Sequence, residues 1–181
     1  MKKIIFVVLL VLPLVCNADT FSPNAYYQVC FTPNTNCTAK IVRAIRRAKN
    51  SILVQAYSFT SQPIIKALAS AKYRGINVKI LLDKSLIINR SQYYSPIPYF
   101  QDQNIWIRID YLPVIAHNKV IIVDDNTVIT GSFNFTRAAQ KNNTENVLII
   151  NDSKLAQKYT DNWYERAKQS ISVKEAIMKL L

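Results

Sequence analysis

The run Ser51–Tyr57, the amphipathic stretch that follows Ser61 and the run Ile76–Asp83 narrow the folding options of this chain more than any other segment. Both runs are short and rich in Ile, Leu and Val, which suits buried strands. Between them Ile64, Ile65, Leu68 and Ala71 fall on one helical face. Ser61 stands at the N-cap position, Pro63 lies in the first turn, and Gly75 sits where the helix must stop. Two strands joined through a helix cannot form a hairpin. They predict a parallel pair with a right-handed crossover.

The remaining segments extend this α/β pattern. Tyr26–Phe31 predicts a first strand. Thr38–Asn50 predicts a helix with Ile41, Ala44, Ile45 and Ala48 on its apolar stripe. Residues 84–104 are polar, rich in Tyr and broken by Pro96 and Pro98, so they read as a helix fragment and a loop. Asn104–Ile109 predicts a strand, and Pro113 closes the loop after it. Asn118–Val123 and Thr127–Thr130 flank the turn Asp124-Asp125-Asn126 as a hairpin. Thr144–Ile150 predicts a further strand. A last helix, capped by Ser153, runs to about Ser170 with Leu155, Ala156, Tyr159 and Trp163 on its inner face. There are two glycines, Gly75 and Gly131, and Gly131 lies where a phosphate could come close. With no internal repeat, the expectation is one α/β domain: a mixed, largely parallel β-sheet flanked by helices on both faces.

The only histidine is His117, two residues before Lys119 in His117-Asn118-Lys119. On a strand, positions i and i+2 share a face. An imidazole beside a fixed cation suits attack on a phosphate: the Lys holds anionic oxygens while the His acts as nucleophile or acid. Asp124 follows Lys119 after four residues, and Gly131-Ser132-Phe133-Asn134 follows the hairpin.

These residues resemble the phospholipase D superfamily, whose signature is HxKxxxxD followed by GSxN. The likeness is to its single-motif bacterial members, the Nuc-type endonucleases and the short phospholipase D proteins of intracellular bacteria. It runs from about Cys30 to Trp163 and includes Gln55–Thr60, Ile80–Asp83, Thr130–Thr136 and Glu145-Asn146. The resemblance implies the phospholipase D/nuclease fold and a set of roles. His117 attacks phosphorus and forms a phosphohistidine. Lys119 and Asn134 hold the non-bridging oxygens, and Ser132 with the Gly131 backbone completes the cradle. Glu145 accepts a hydrogen bond from the imidazole. Asp124, the last signature residue, is placed by the resemblance in the catalytic set; its own chemistry reads either as a buried partner of a cation or backbone N–H groups, or as a plain turn residue.

Cleavage in two steps needs a second proton donor, and the chain has no second histidine. A two-fold homodimer bringing two His117 side chains to one site answers this; a Tyr or a bound water is the alternative donor. No metal site is apparent, so the scheme uses neither a metal nor any other cofactor.

The N-terminus reads as an export signal: Lys2 and Lys3, then apolar Ile4–Val15, then Cys16-Asn17-Ala18 before Asp19. Cleavage after Ala18 is the first reading; a retained anchor or a lipid on Cys16 are the others. The expected division is residues 1–18 as signal, 19–170 as phosphodiesterase domain, and 171–181 as an amphipathic tail. Cleavage removes Lys2 and Lys3 and takes the net charge from +12 to +10. It leaves Cys30 and Cys37, which in a secreted or periplasmic chain read as a disulfide. A strongly basic domain favours anionic partners. The leading function is therefore a metal-independent endonuclease on DNA or RNA. The alternative is a phospholipase D that converts phosphatidylcholine-type lipids to phosphatidic acid at a membrane surface. The tail, with Ile171, Val173, Ala176, Ile177, Leu180 and Leu181, could lie on that membrane or cap the core.

Overall fold

A computed structural model describes residues 18–88 and 95–179 of the chain. The elements are β1 (Tyr26–Phe31), α1 (Cys37–Arg46), β2 (Ser51–Ala56), α2 (Gln62–Tyr73), β3 (Asn77–Asp83), α3 (Ser85–Ile88), α4 (Ile97–Asp102), β4 (Trp106–Asp110), β5 (Lys119–Val123), β6 (Thr127–Gly131), α5 (Arg137–Lys141), β7 (Asn146–Asn151), α6 (Ser153–Gln169), β8 (Ile171–Ser172) and α7 (Val173–Met178). The strands form one open sheet in the order β1-β7-β6-β5-β2-β3-β4-β8.

The crossover read from the sequence is present: β2 pairs parallel with β3, and β3 with β4. The pairings β1–β7, β7–β6, β6–β5, β5–β2 and β4–β8 are antiparallel. The sheet is thus mixed, but not largely parallel. The connections explain the difference. β5 and β6 are joined by a tight turn in which Asp124 and Asp125 have φ of 54° and 50°, and such a short link permits only antiparallel neighbours.

Alternation along the strands sends side chains into two layers. Ile52, Val54 and Ala56 of β2 join Ile41 and Ile45 of α1 and Ile64, Ile65 and Leu68 of α2 in the larger core. Leu53, Leu81, Val120 and Ile122 point the other way, against Ala156 and Trp163 of α6. Trp163 is 1% exposed and donates its indole N–H to the Val54 carbonyl at 2.9 Å, which fixes α6 on the central strand.

Helix ends follow local chemistry, with two departures from expectation. Gly75 has φ +89° and closes α2, with Ile76 N–H donating to Ala71 O at 3.1 Å. Ser61 occupies the N-cap position of α2 but makes no side-chain cap; its buried N–H donates to Phe135 O at 2.8 Å. α6 is capped by Asp152 rather than Ser153: the Asp152 carboxylate accepts from Leu155 N at 3.0 Å. The stretch set apart as a tail belongs to the domain. β8 pairs with β4, a Ser172/Glu175 capping box starts α7, and Val173 and Ala176 are buried. The fold therefore continues past residue 170. The expected signal lies outside the described residues except for Ala18, as do Leu180 and Leu181. Among the described residues no helix is long and apolar enough to cross a membrane. Cys30 and Cys37 are joined, with Cα atoms 5.7 Å apart.

Candidate active site

The topology gathers all but one of the signature residues at one end of the sheet. The carboxyl ends of β2, β3 and β4 lie there, with the start of β5, the end of β6 and the start of β7. Ligands of open α/β sheets collect beyond the carboxyl ends of parallel strands. His117, Lys119, Ser132, Asn134 and Glu145 all occupy this end.

His117 is exposed and lies just before β5. Its ring packs on Tyr57, with centroids 4.7 Å apart and planes tilted by 56°. Tyr57 is set by its own N–H, which donates to Asn118 O at 3.0 Å. Lys119 opens β5 opposite Ala56 and is only 8% exposed. Its ammonium donates to His117 O at 2.8 Å and sits 5.4 Å above the Tyr57 ring. Burial lowers the Lys119 pKa below the ordinary lysine range, and the Glu145 carboxylate pulls partly against that shift.

The far side of the site comes from β6 and β7. Gly131 has φ +141°, and a Cβ there would stand 2.3 Å from the Asn146 carbonyl oxygen. Close approach of β7 is thus a sufficient reason for this glycine. The Ser132 hydroxyl donates to Glu145 Oε2 at 2.5 Å and accepts from Asn146 N at 3.0 Å. It is engaged within the protein rather than held open for a phosphate. Glu145 Oε1 accepts from Asn143 Nδ2 at 2.9 Å. The carboxylate thus holds Ser132 and Asn143, and its described hydrogen bonds include none from the imidazole. Asn134 Oδ1 is buried without a hydrogen-bond partner, an amide with unused capacity. Its own carbonyl accepts from Thr136 N at 2.6 Å, and the next residue is tied in as Phe135 O accepts from Thr60 N and Ser61 N at 2.9 and 2.8 Å.

Asp124 is not at this end. It closes β5 at the opposite edge, about 17 Å from Lys119 at 3.3 Å per residue. Its carboxylate accepts from Lys49 N at 2.9 Å, Asn50 N at 2.7 Å and Ser51 N at 3.0 Å. Of the two readings the sequence left open, the partner of backbone N–H groups is the one present. The catalytic assignment of Asp124 is accordingly corrected to a structural one: it fixes the entry to β2.

Two residues with no role in the sequence-based site hold the loop that presents His117. Asp83, 2% exposed at the end of β3, accepts from Ala116 N at 2.7 Å and Ser85 N at 2.8 Å. Lys84 donates to Tyr111 O at 3.2 Å and Pro113 O at 2.9 Å. The loop's outer side is apolar and open, with Leu112, Val114 and Ile115 exposed by 69%, 86% and 54%. Among the described residues no group of three or more His, Cys, Asp or Glu side chains is placed to hold a metal ion.

Residues 41–167 match the family described as "Cardiolipin synthase, PLD-like domain". The chain belongs to the phospholipase D superfamily. It is 49% identical over 144 residues to "Phospholipase D" of Rickettsia prowazekii, a match covering 80% of this chain and 69% of that protein. The fold is similar to that of the phospholipase D family member Nuc from Salmonella typhimurium, with TM-score 0.75 and 40% identity over 82% of this chain and 97% of that one. NucT from Helicobacter pylori shares the fold, with TM-score 0.73 and 24% identity over 82% of this chain and 99% of that one. The chain is thus a phosphodiesterase, a hydrolase of the phospholipase D superfamily.

Proposed function

We propose that this phosphodiesterase is an exported endonuclease of relaxed sequence preference, working as a homodimer through a phosphohistidine. The observation that carries the chemistry is the exposed imidazole of His117 packed on Tyr57, with the ammonium of the buried Lys119 over the same Tyr57 ring and on the His117 carbonyl. His117 attacks phosphorus, and the bond from phosphorus to the leaving oxygen breaks. Lys119 and the Asn134 amide stabilise the charge on the non-bridging oxygens. The amide's oxygen and nitrogen ends are interchangeable by rotation, so its buried edge can present N–H to a substrate oxygen. Gly131 and Ser132 contribute through backbone, since the Ser132 hydroxyl is engaged on Glu145.

The leaving oxygen needs a proton, and the chain has one imidazole. His117 of the partner subunit supplies it, then takes a proton from the water that attacks the phosphohistidine and regenerates His117. Glu145 orients this centre through Ser132 and Asn143, and holds Lys119 electrostatically. Export is supported by the signal-like start and by the Cys30–Cys37 disulfide. Nucleic acid as substrate is supported by the net charge and by the likeness to Nuc across nearly all of that chain.

A lipid reading has one observation in its favour: the exposed Leu112, Val114 and Ile115 beside His117, an apolar lip that a membrane surface would accept. The relatives called Phospholipase D agree with it. Purified protein assayed side by side on plasmid DNA, RNA and phosphatidylcholine vesicles, each with excess EDTA, separates the two. The proposal expects EDTA-resistant cleavage of nucleic acid. Phosphatidic acid release with intact nucleic acid would replace it by the lipid reading.

A further inference from the structure

The far end of the sheet carries a second feature that none of this chemistry uses. A cavity of about 520 Å³ opens between α1 and the β1–β7–β6 edge. Lys40, Arg43, Arg47 and Lys49 line it, with Asp124 as its one carboxylate. That carboxylate is occupied by three backbone N–H groups. None of the four cations joins an ion pair among the described residues. Helical spacing explains the cluster: Lys40 and Arg43 on α1 and Arg47 at its C-cap are three and four residues apart and turn one face to the cleft. Holding like charges together is unfavourable unless an anion joins them. Tyr26, 58% exposed, stands on the β1 wall, and Gln28 and Asn126 also line the cavity.

We propose that this cleft is an exosite for single-stranded nucleic acid, with backbone phosphates on the four cations and a base stacked on Tyr26. A groove of cations beside an exposed aromatic ring is the general pattern of single-strand binding. A flat anionic membrane would meet the exposed arginines but would not enter a recess walled by a helix and a strand. The exosite lies about 17 Å along β5 from Lys119, so a strand held there extends away from the bond being cut. This deepens the nucleic-acid reading of the His117 site, but its binding test does not depend on that site.

The test uses His117→Asn protein, which cannot consume its ligand, and a fluorescein-labelled single-stranded 20-mer followed by anisotropy from about 50 to 200 mM NaCl. Adding K40Q, R43Q, R47Q and K49Q should weaken binding at least about tenfold at the lowest salt. It should also flatten the slope of log K against log salt by about 2.8, four phosphates at about 0.7 each. Tyr26→Ala should weaken binding with the slope unchanged. A control lacking four lysines elsewhere, the exposed Lys66, Lys154 and Lys174 and the half-buried Lys72, should keep the slope to within about 1. Unfolding temperatures establish that each variant is folded, and the milder pair R43Q/R47Q, with half the slope change, serves if the quadruple variant is not. With His117 restored, turnover of bis(4-nitrophenyl) phosphate, too small to reach the cleft, should be unchanged. An unaltered slope, an equal loss in the control, or loss of binding to phosphatidylserine vesicles without loss of oligonucleotide would overturn the exosite. If the oligonucleotide binds through the cleft but active protein leaves it uncut, the exosite stands and the nuclease reading falls.

Discussion

Replacing Asp124 separates structure from chemistry within the signature motif itself. Its carboxylate takes three backbone N–H groups at 2.7–3.0 Å, from Asn50, Lys49 and Ser51. Hydrogen bonds to a charged group contribute about 1.5–3 kcal/mol each when buried. Here the acceptors are only partly covered, and water can replace the carboxylate on Lys49 and Asn50, so about 1 kcal/mol each is the appropriate scale. Asp124→Ala should therefore lose about 3 kcal/mol, with a further penalty because Asp124 holds φ 54°, where Ala is less at ease than Asp or Asn. For a domain of this size that lowers Tm by about 6–12 °C. Asp124→Asn keeps one acceptor oxygen and the tolerance of positive φ, and should lose about half as much. At 25 °C the folded Asp124→Ala enzyme should keep its kcat on bis(4-nitrophenyl) phosphate within about threefold, because the residue stands about 17 Å along β5 from Lys119. A drop of 100-fold or more at unchanged Tm would refute this reasoning and return Asp124 to the reacting centre.

Asp83→Ala strands the buried Ala116 N–H beside His117; kcat should fall about 100-fold through misplacement of the nucleophile, with Asp83→Asn recovering part of the loss and KM little changed. Equal losses of stability and activity in both variants, with no recovery by Asn, would reduce Asp83 to a fold residue. Because burial lowers the Lys119 pKa and Glu145 raises it, the ammonium is lost at a pH below the ordinary lysine value; the alkaline limb of kcat/KM should lie there, and Glu145→Gln should move it lower still. A limb that moves up, or not at all, contradicts the pairing of Glu145 with Lys119. Serines at Leu112, Val114 and Ile115 should leave cleavage of plasmid DNA and the sedimentation coefficient unchanged if these side chains form a membrane lip. Dissociation to monomers would show instead that the lip is covered by a second copy.

Much of this was legible in the chain. The crossover from β2 to β3 follows from apolar runs, an N-terminal Pro63 and a stop at Gly75, all local signals. Local signals do not reveal which strands become neighbours, so they underestimate the antiparallel pairings of the sheet; β1 pairs with β7 across more than a hundred residues. α5 is too short for periodicity to register, though the Thr136 side chain caps it. Asp152 displaced Ser153 as the cap of α6 because it also accepts from Ser22 N and Oγ, a contact 130 residues away. At the site, the placement of His117, Lys119, Ser132, Asn134 and Glu145 at one end followed from strand order once the hairpin was recognised. The hold of Asp83 on Ala116 spans 33 residues and leaves no trace in local pattern. The bridge from Ser132 to Glu145 is equally hidden in local pattern, so the family resemblance alone points Ser132 to a phosphate and Glu145 to the imidazole.

In the proposed homodimer two copies of His117 share one phosphodiester. The most direct measurement mixes wild-type and His117→Asn chains under conditions of free subunit exchange and follows cleavage against composition. Equal mixing leaves both histidines in about a quarter of the dimers by binomial counting, so activity should follow the square of the wild-type fraction. Activity linear in that fraction, or full activity in a species that sediments as a monomer, would mean that another group donates the proton and that the shared site does not exist.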